Sequence, residues 1–316
     1  MAESQLIEVR LSEIRHVARD INLYRLRAIG STDLRSGTAG GHIDVHLSNG
    51  LIRQYSLVIN SRSEKDYVIA VKEDAASRGG STFIHKSFQV GMTLTISGPR
   101  NHFPLNEAAP HTVLIAGGIG ITPIYSMVQR LVALEKAWVL YYASRSRADM
   151  AFIGELLNMP NVHCHFDDES QGAFLNIRTI IHTAPNGSHF YCCGPMPLMQ
   201  AFETEAIAIP TERKHVEYFG AKDTPSLQGG FSVTLARSGK TLFVPPGRSI
   251  LEVIIEAGVA IEHSCTEGIC GTCETKVLSG IPDHRDSVLS PSGQAANDTM
   301  MICCSGSKTP ALVLDL

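Results

Sequence analysis

Four cysteines near the C-terminal end of the chain have the residue type and spacing of an iron–sulfur site. Cys265, Cys270 and Cys273 form a C-x4-C-x2-C group, and Cys303 follows after 29 intervening residues. This spacing is typical of the four thiolates that hold a [2Fe–2S] cluster. The pattern predicts that these cysteines are iron ligands and that the protein transfers single electrons.

The loop between the cysteines supports this interpretation. Gly268 and Gly271 lie inside it, and glycine suits a loop that must fold tightly and direct backbone N–H groups toward sulfur. Four thiolates also suit tetrahedral zinc, which is the main alternative. Zinc ligands usually come as two short pairs, whereas here three cysteines cluster and one stands alone. The spacing therefore favours [2Fe–2S] over zinc.

The composition limits the classes of protein. The 316 residues are 44% apolar and 18% charged, with a formal net charge of −4. At roughly 100 to 200 residues per domain, two or three domains are expected. The charge provides no basic field for nucleic acid. No run approaches the roughly 18 apolar residues that cross a bilayer, so we expect no nucleic-acid partner, no membrane association and a cytoplasmic location.

The remaining four cysteines carry no sign of a disulfide framework. They lie in apolar or strand-like surroundings, where reduced thiols of cytosolic proteins are usually found. These are Cys164, Cys192, Cys193 and Cys304.

A glycine-rich turn in the middle of the chain predicts an anion site. A β-branched run at 112–116 is typical of a buried strand and leads into Gly117, Gly118 and Gly120. A helical pattern follows, with Thr122 placed to cap the helix and Pro123 suited to its first turn. Free N–H groups and the helix dipole would face one point. Pro123 stands where the third glycine of G-x-G-x-x-G would fall, so the ordinary dinucleotide fingerprint is absent.

Alternating strands and helices continue this domain. Strands are predicted at 137–143, 162–166 and 189–193, with a helix at 149–157, and the last strand ends at Cys193-Gly194-Pro195. Such alternation favours a mostly parallel sheet that binds its ligand at the carboxyl ends of the strands. Both glycine turns should lie at that edge.

The first third of the chain is rich in strand patterns. They fall at 7–11, 21–28, 42–47, 67–71 and 93–97, and an antiparallel barrel is the simplest arrangement of them. The run 51–57 alternates so that Arg53 and Tyr55 share one face and Ser56 lies on the other. Alternation alone predicts only an ordinary strand here.

Three segments together resemble the ferredoxin-NADP reductase superfamily: R-x-Y-S at 53–56, the turn 117–123, and Cys193-Gly194-Pro195-Met196. The resemblance implies that Arg53 meets a flavin phosphate, that Tyr55 lies beside the flavin, and that Ser56 hydrogen-bonds N5 and tunes the redox step. The phosphate could also be cradled by Gly79, Gly80, Ser81 and Thr82, which follow Arg78. The implied nucleotide-binding residues are Gly117, Gly118, Gly120, Thr122, Pro123, Cys193, Gly194 and Pro195.

The C-terminal third has local signals of a β-grasp ferredoxin domain. Patterns at 231–236 and 241–244 predict a β-hairpin, and Ser249 with Glu252 form a capping box before one apolar helix face. The Cys265–Cys273 stretch resembles the plant-type ferredoxin family, and that resemblance makes Cys303, rather than Cys304, the fourth ligand.

The order of the modules resembles the phthalate dioxygenase reductase family, which includes vanillate demethylase reductases. The expected fold is a multi-domain α/β and β protein: an antiparallel flavin-binding β-barrel at 1–108, a parallel α/β nucleotide-binding domain at 109–221, a linker at 222–230, and a β-grasp ferredoxin domain at 231–316. The resemblance implies FMN, NADH as donor, and a separate Rieske oxygenase as electron acceptor. It also makes Phe219, at the end of the nucleotide domain, the aromatic residue that covers the flavin.

Other interpretations stay open at this point. Ser144, Arg145 and Arg147 follow the second strand of the nucleotide domain, where a 2′-phosphate could bind, so NADPH competes with NADH. The acceptor could be a soluble ferredoxin or another monooxygenase. A redox-sensing iron–sulfur flavoprotein that binds nucleotide without turnover is the alternative from a different class.

Overall fold

The computed structural model describes residues 6–30, 34–58, 66–74, 79–221 and 224–316. The chain divides into two compact units, Met1–Glu217 and Tyr218–Leu316. The first unit holds the predicted barrel and nucleotide domain, and the second holds the cysteine cluster. Among the described residues, no helix combines the length and apolar character needed to traverse a lipid bilayer.

The structure contains strands and helices throughout both units. The strands are β1 (Leu6–Ala18), β2 (Ile21–Ala28), β3 (His42–His46), β4 (Ile52–Ser56), β5 (Asp66–Lys72), β6 (Thr93–Arg100), β7 (Thr112–Gly117), β8 (Trp138–Ser144), β9 (Val162–Phe166), β10 (His189–Cys193), β11 (Lys214–Glu217), β12 (Phe231–Leu235), β13 (Thr241–Val244), β14 (Glu274–Ser279), β15 (Pro282–Asp283), β16 (Thr299–Met301), β17 (Gly306–Ser307) and β18 (Ala311–Leu314). The helices are α1 (Gly80–Ser87), α2 (Ile121–Ala133), α3 (Ile153–Leu156), α4 (Ile177–Thr183), α5 (Met196–Glu205), α6 (Ile250–Glu256) and α7 (Pro291–Ala296), with single 3-10 turns at Gly118–Gly120, Arg147–Asp149 and Thr211–Arg213.

The first six strands form one antiparallel sheet in the order β4-β3-β6-β1-β2-β5. Its two ends meet where Leu57 bridges Ile69 and the N–H of Val58 donates to the carbonyl of Val68 at 2.9 Å. The sheet therefore closes on itself, and the predicted antiparallel barrel is confirmed. The prediction missed helix α1, which starts next to Gly79, a residue at φ +89° where glycine is favoured.

Five parallel strands form the second sheet, in the order β11-β10-β7-β8-β9. The predicted parallel α/β domain is confirmed. Its core continues into the barrel, since Val58 and Phe103 belong to the same buried cluster as Met127 and Tyr191. A buried hydrogen bond from the Gly40 N–H to Ser126 Oγ (3.0 Å) also joins the two parts.

Two local predictions in this domain were wrong. Helix α2 begins at Ile121 with Gly120 as its N-cap residue and no side-chain cap, and the Thr122 hydroxyl donates instead to the carbonyl of Ile119 at 3.0 Å. The helix expected at 149–157 is reduced to α3, because Phe152 adopts a left-handed φ of +60° that interrupts a regular helix.

The second unit is a mixed five-stranded sheet in the order β13-β12-β18-β14-β16. Strand β12 is antiparallel to β13 and parallel to β18, as in the expected β-grasp domain. The capping box of α6 is confirmed, because Ser249 Oγ accepts the Glu252 N–H and Glu252 Oε2 accepts the Ser249 N–H. In the predicted linker, the N–H of Ser226 donates to the carbonyl of Cys304 at 2.8 Å, so this part packs on the second unit.

Candidate functional site

The nucleotide turns meet at the carboxyl edge of the parallel sheet. The chain runs outward through β7, β8 and β9, then returns to the other side of β7 for β10 and β11. The boundary between β7 and β10 is therefore a switch point, where open α/β sheets bind their ligands. The predicted turns after these strands, beginning at Gly117 and Gly194, both open onto this boundary.

Glycine is required here because the two turns touch. A Cβ on Gly117 would lie 2.6 Å from Pro195 Cδ, and a Cβ on Gly120 would lie 2.3 Å from the carbonyl oxygen of Cys193. Gly118 has a left-handed φ of +51°. With no side chains between them, the backbone N–H groups of both turns and the start of α2 can approach one phosphate group.

The predicted flavin strand is β4, at one end of the barrel sheet. Arg53 packs on the first residue of α1, since a Cβ on Gly80 would lie 2.7 Å from Arg53 Nε. A guanidinium beside a helix N-terminus is a suitable anion site. Tyr55 packs against the barrel core, and burial raises the pKa of its phenol. Ser56 is buried.

The hydroxyls of the predicted phosphate loop contact the backbone of Asp74. Ser81 Oγ accepts the N–H of Asp74 at 3.1 Å, and the Thr82 hydroxyl donates to the Asp74 carbonyl at 3.5 Å. The Ser81 hydroxyl can still donate its proton to a phosphate, as can the first backbone N–H groups of α1, beginning at Gly80. Arg78 lies outside the described residues.

Sequence reasoning missed a buried polar network beside Ser56. His42 pairs with Ser56 across β3 and β4, and with Arg100 across β3 and β6. Asp44 accepts hydrogen bonds from Arg100 Nη2 (2.7 Å) and Gln54 Nε2 (2.9 Å). Burial, followed by the Arg100 charge, lowers the pKa of His42 to about 4. In the sequence, the segment at 98–103 indicates this region, because it is similar to one that lies near the cofactor in the ferredoxin-NADP reductase superfamily.

Two atoms of this network test the fit to a flavin. His42 Nε2 and Arg100 Nε are enclosed and have no partner among the described residues. Buried polar atoms without a partner cost about 1–3 kcal/mol and are rare. His42 lies next to Ser56, the predicted N5 contact, and Arg100 lies next to His42, so the two atoms fit the polar edge of a flavin ring.

Glu217 is a second residue that sequence reasoning left without a role. It pairs with Cys193 across β10 and β11, next to the nucleotide turn at Gly194. Its Oε2 atom is enclosed without a partner among the described residues, and burial raises the pKa of the carboxyl to about 8. Glu217 is therefore mostly protonated at neutral pH and can donate a hydrogen bond. Phe219 lies in the second unit and is 41% exposed, and its predicted role at the flavin stays a prediction.

The four predicted iron ligands are all buried in the second unit. Cys265, Cys270, Cys273 and Cys303 are each at most 5% exposed, and Cys304 is buried as expected. The N–H of Glu267 donates to Cys265 Sγ at 3.3 Å, and the N–H of Cys265 donates to Cys270 Sγ at 3.5 Å. Backbone N–H groups thus point at sulfur, as a cluster loop requires.

The loop geometry and the thiol chemistry fit a cluster. Gly268 and Gly271 have φ of +71° and +72°, and a Cβ on Gly268 would lie 2.4 Å from Cys304 Sγ. Contact with the Cys265 thiol, together with burial, raises the pKa of Cys270, so this thiol needs a nearby cation to ionise at neutral pH. Within the described ranges, no three His, Cys, Asp or Glu side chains converge as they would on one metal ion.

Comparisons with known proteins agree with this arrangement. Three family models match in the expected order: an oxidoreductase FAD-binding domain at residues 8–104, an oxidoreductase NAD-binding domain at 114–204, and a 2Fe-2S iron–sulfur cluster binding domain at 233–307. The protein is thus an oxidoreductase with flavin, NAD and [2Fe–2S] domains.

Relatives and solved structures cover the whole chain. Phenoxybenzoate dioxygenase subunit beta of Ectopseudomonas oleovorans is 48% identical over 98% of this chain and 97% of its own length. An intact type IV self-sufficient cytochrome P450 monooxygenase matches with a TM-score of 0.90 and 36% identity, over 98% of this chain but only 41% of its own. Phthalate dioxygenase reductase, described as a modular structure for electron transfer from pyridine nucleotides to [2Fe–2S], matches with a TM-score of 0.74 and 36% identity over 99% of both chains. On this full-length similarity, the chain belongs to the phthalate dioxygenase reductase family.

Proposed function

We propose that the protein is the reductase component of a two-component oxygenase system, which takes electrons from NADH and delivers them singly to a separate Rieske-type oxygenase. A bound flavin and [2Fe–2S] cluster would supply the conversion from a two-electron hydride donor to a one-electron acceptor. The observation that carries the proposal is the set of four buried, ferredoxin-spaced cysteines in a unit that follows a flavin and nucleotide unit. A nucleotide-binding flavoprotein without one-electron delivery would not need them.

At the carboxyl edge of the parallel sheet, the chain would bind and orient the dinucleotide. The N–H groups of the turns at Gly117–Gly120 and Gly194 would hold the pyrophosphate at the switch point between β7 and β10. Glu217, protonated at neutral pH, can donate a hydrogen bond through its enclosed Oε2 to a ring bound beside Cys193. A neutral carboxyl also keeps an unpaired negative charge away from the place where hydride leaves.

At the barrel, the chain fixes the flavin at both ends. Arg53 and the start of α1 would bind the phosphate, Tyr55 would lie against the ring, and Ser56 would donate to N5. His42, next to Ser56 across β3 and β4, and Arg100, next to His42 across β3 and β6, would contact the polar edge of the same ring. These groups hold the ring in place without any general acid or base.

We propose FMN as the flavin. Arg53 beside the first residue of α1 forms a compact site with one guanidinium and one helix terminus, which suits the dianionic phosphomonoester at the end of FMN. Extracted flavin separated by chromatography would identify it, and FAD in the extract would refute this part of the proposal.

The names of the relatives and the redox potentials both favour a Rieske-type oxygenase as the electron acceptor. Relatives named as dioxygenase components favour an oxygenase partner. A plant-type cluster has a potential of about −400 mV, below the roughly −150 to +300 mV of Rieske centres, so electrons flow outward. The P450 in which a similar module forms 41% of one chain supports the second candidate, a monooxygenase that is not of the Rieske type.

The first experiment characterises the protein purified without oxygen. Its absorption spectrum should show flavin and iron–sulfur bands, iron should be present at two atoms per chain as the cluster formula requires, and NADH should bleach the flavin rapidly in a stopped-flow instrument. Slow bleaching would favour the redox-sensor alternative. A colourless protein would refute the proposal.

The cluster's role is tested with Cys273→Ser. This variant should lose electron transfer to a protein acceptor such as cytochrome c while keeping NADH-dependent reduction of ferricyanide, because only the first path needs the cluster. Cys164→Ser, at a half-buried thiol in the first unit, is the matched control and should keep both activities. Equal loss of both activities in Cys273→Ser would contradict the proposal that only electron transfer to protein acceptors needs the cluster.

A further inference from the structure

Two turns at the carboxyl edge of the nucleotide sheet are joined by an ion pair. Strands β8 and β9 are parallel neighbours and end in register at Ser144 and Phe166. The turn after β8 contains Arg147, and the turn after β9 contains Glu169. Arg147 Nε donates to Glu169 Oε1 at 2.5 Å and Nη2 donates to Oε2 at 3.0 Å, so the guanidinium is bound at two points.

The same guanidinium is held from a second side. Its carbon lies 4.4 Å above the centre of the Phe166 ring. The two turns are also joined by their backbones, because the N–H of Asp167 donates to the Ser144 carbonyl at 3.0 Å and the N–H of Asp168 donates to the Arg145 carbonyl at 3.1 Å. Glu169 is fixed within its turn by a bond from its N–H to the Phe166 carbonyl at 3.2 Å. The pair is thus built into the edge of the sheet.

The position of the pair relates it to the dinucleotide. The phosphate turns follow β7 and β10, and β8 is the next strand on the other side of β7. In doubly wound sheets, the residue beyond the second strand decides between the two nucleotides: a carboxylate accepts the ribose 2′-hydroxyl of NAD, and an arginine receives the 2′-phosphate of NADP. Here Arg147 follows the second strand, β8, and the carboxylate of Glu169, which follows the neighbouring third strand, β9, already binds it.

We infer that Glu169 makes the protein selective for NADH by neutralising Arg147 and by opposing a 2′-phosphate. This inference rests on the proposed NADH-dependent function. Residues 145–147 and 167–169 carry three carboxylates, Asp167, Asp168 and Glu169, and two arginines, Arg145 and Arg147, so the net charge of these six residues is −1. A dianionic phosphate would have to displace Glu169 from Arg147 and then remain beside it, whereas a ribose diol finds a carboxylate that accepts its hydrogen bonds.

The size of the effect follows from Coulomb's law. A phosphate dianion about 6 Å from one carboxylate in water is disfavoured by roughly tenfold in binding. Glu169→Gln removes that charge and releases Arg147 while keeping the size of the side chain. Both side chains are about half exposed, so the substitution should leave folding intact.

The experiment measures the ratio of kcat/KM for NADPH to kcat/KM for NADH, with ferricyanide as acceptor, in the full-length holoprotein. Glu169→Gln should raise this ratio about tenfold, and Arg147→Gln added to it should reverse the gain. Glu205→Gln is the matched control, since it breaks a similar surface pair with Arg178 (Nε to Oε2, 3.0 Å) at the last residue of α5, and it should leave the ratio unchanged.

A second readout separates binding from turnover. Adenosine 2′,5′-bisphosphate should inhibit Glu169→Gln more strongly, relative to 5′-AMP, than it inhibits the parent. An unchanged ratio and unchanged inhibition in Glu169→Gln, with an active parent, would overturn only the role of Glu169. A parent that oxidises neither nucleotide would overturn the proposed function and this inference with it. A parent that prefers NADPH would overturn the inference and NADH as the proposed donor, but not the proposed delivery of electrons through the cluster.

Discussion

Replacing Glu217 by glutamine should change how the stability of the first unit depends on pH. Burial raises the pKa of this carboxyl to about 8 from its ordinary value of 4.5. In the unfolded chain the carboxyl ionises near its ordinary value, whereas the folded protein keeps the proton until the pH approaches 8. Between these values the folded state binds more protons than the unfolded state.

The direction and the size of the change in the free energy of unfolding follow from proton linkage. Stability falls as pH rises wherever the folded state holds the extra proton, so the free energy of unfolding should decrease from pH 4.5 to about 8 and then level off. The full interval of about 3.5 pH units corresponds to a ceiling of about 5 kcal/mol, at about 1.36 kcal/mol per unit. From about pH 6 to about pH 9 the loss should be about 3 kcal/mol. The side chain in Glu217→Gln cannot ionise, so this pH-dependent loss of stability should disappear in the variant.

Urea unfolding at these two pH values provides the assay. The only tryptophan, Trp138, is buried in β8 of the first unit, so its fluorescence reports unfolding of the unit that contains Glu217. Glu155→Gln, at an exposed position of α3, controls for the loss of one negative charge and should keep the parent's pH dependence. If Glu217→Gln loses as much stability as the parent between the two pH values, the carboxyl is not protonated in the folded protein and the reasoning is refuted.

Two further substitutions test the geometry. Gly120→Ala places a Cβ 2.3 Å from the Cys193 carbonyl oxygen, so it should force the two nucleotide turns apart, lower the free energy of unfolding by about 1–3 kcal/mol and raise KM for NADH. Gly154→Ala is the control, because its Cβ would have nothing within 4 Å, and it should be neutral or stabilising. A similar KM for both variants would show that close packing of the turns is not needed. Ser249→Ala removes the hydroxyl that accepts the Glu252 N–H at 3.2 Å and should destabilise the second unit by about 1 kcal/mol in thermal unfolding, whereas Ser232→Ala on β12 should not produce a loss traceable to α6.

The sequence alone determined the architecture, because each element carries its own local pattern. The strand patterns at 162–166 and 189–193 predicted β9 and β10 with the bounds that the structure gives. The capping box at Ser249 and Glu252 was readable because its two hydrogen bonds join residues three apart in the chain. The cysteine spacing was equally informative, since one short loop supplies three of the four ligands.

Local signals failed where the backbone departed from regular geometry. The helix predicted at 149–157 contains good helix formers, but the left-handed backbone at Phe152 divides it, and nothing in the sequence marks a phenylalanine for that conformation. Thr122 has the residue type of a cap, yet the chain enters α2 through a 3-10 turn that uses its hydroxyl differently.

The chemistry at the site's edges was decided only by the tertiary structure. His42 lies next to Ser56 and Arg100 because their strands pair. Glu217 lies next to Cys193, a residue 24 positions earlier in the chain, because β10 and β11 pair. From the sequence alone, Arg147 predicts a site for a 2′-phosphate. In the structure its guanidinium instead binds Glu169, which lies in the turn after a different strand. Propensity and spacing depend on neighbours in the chain, whereas enclosure, charge neutralisation and a raised pKa depend on which distant groups the fold brings together.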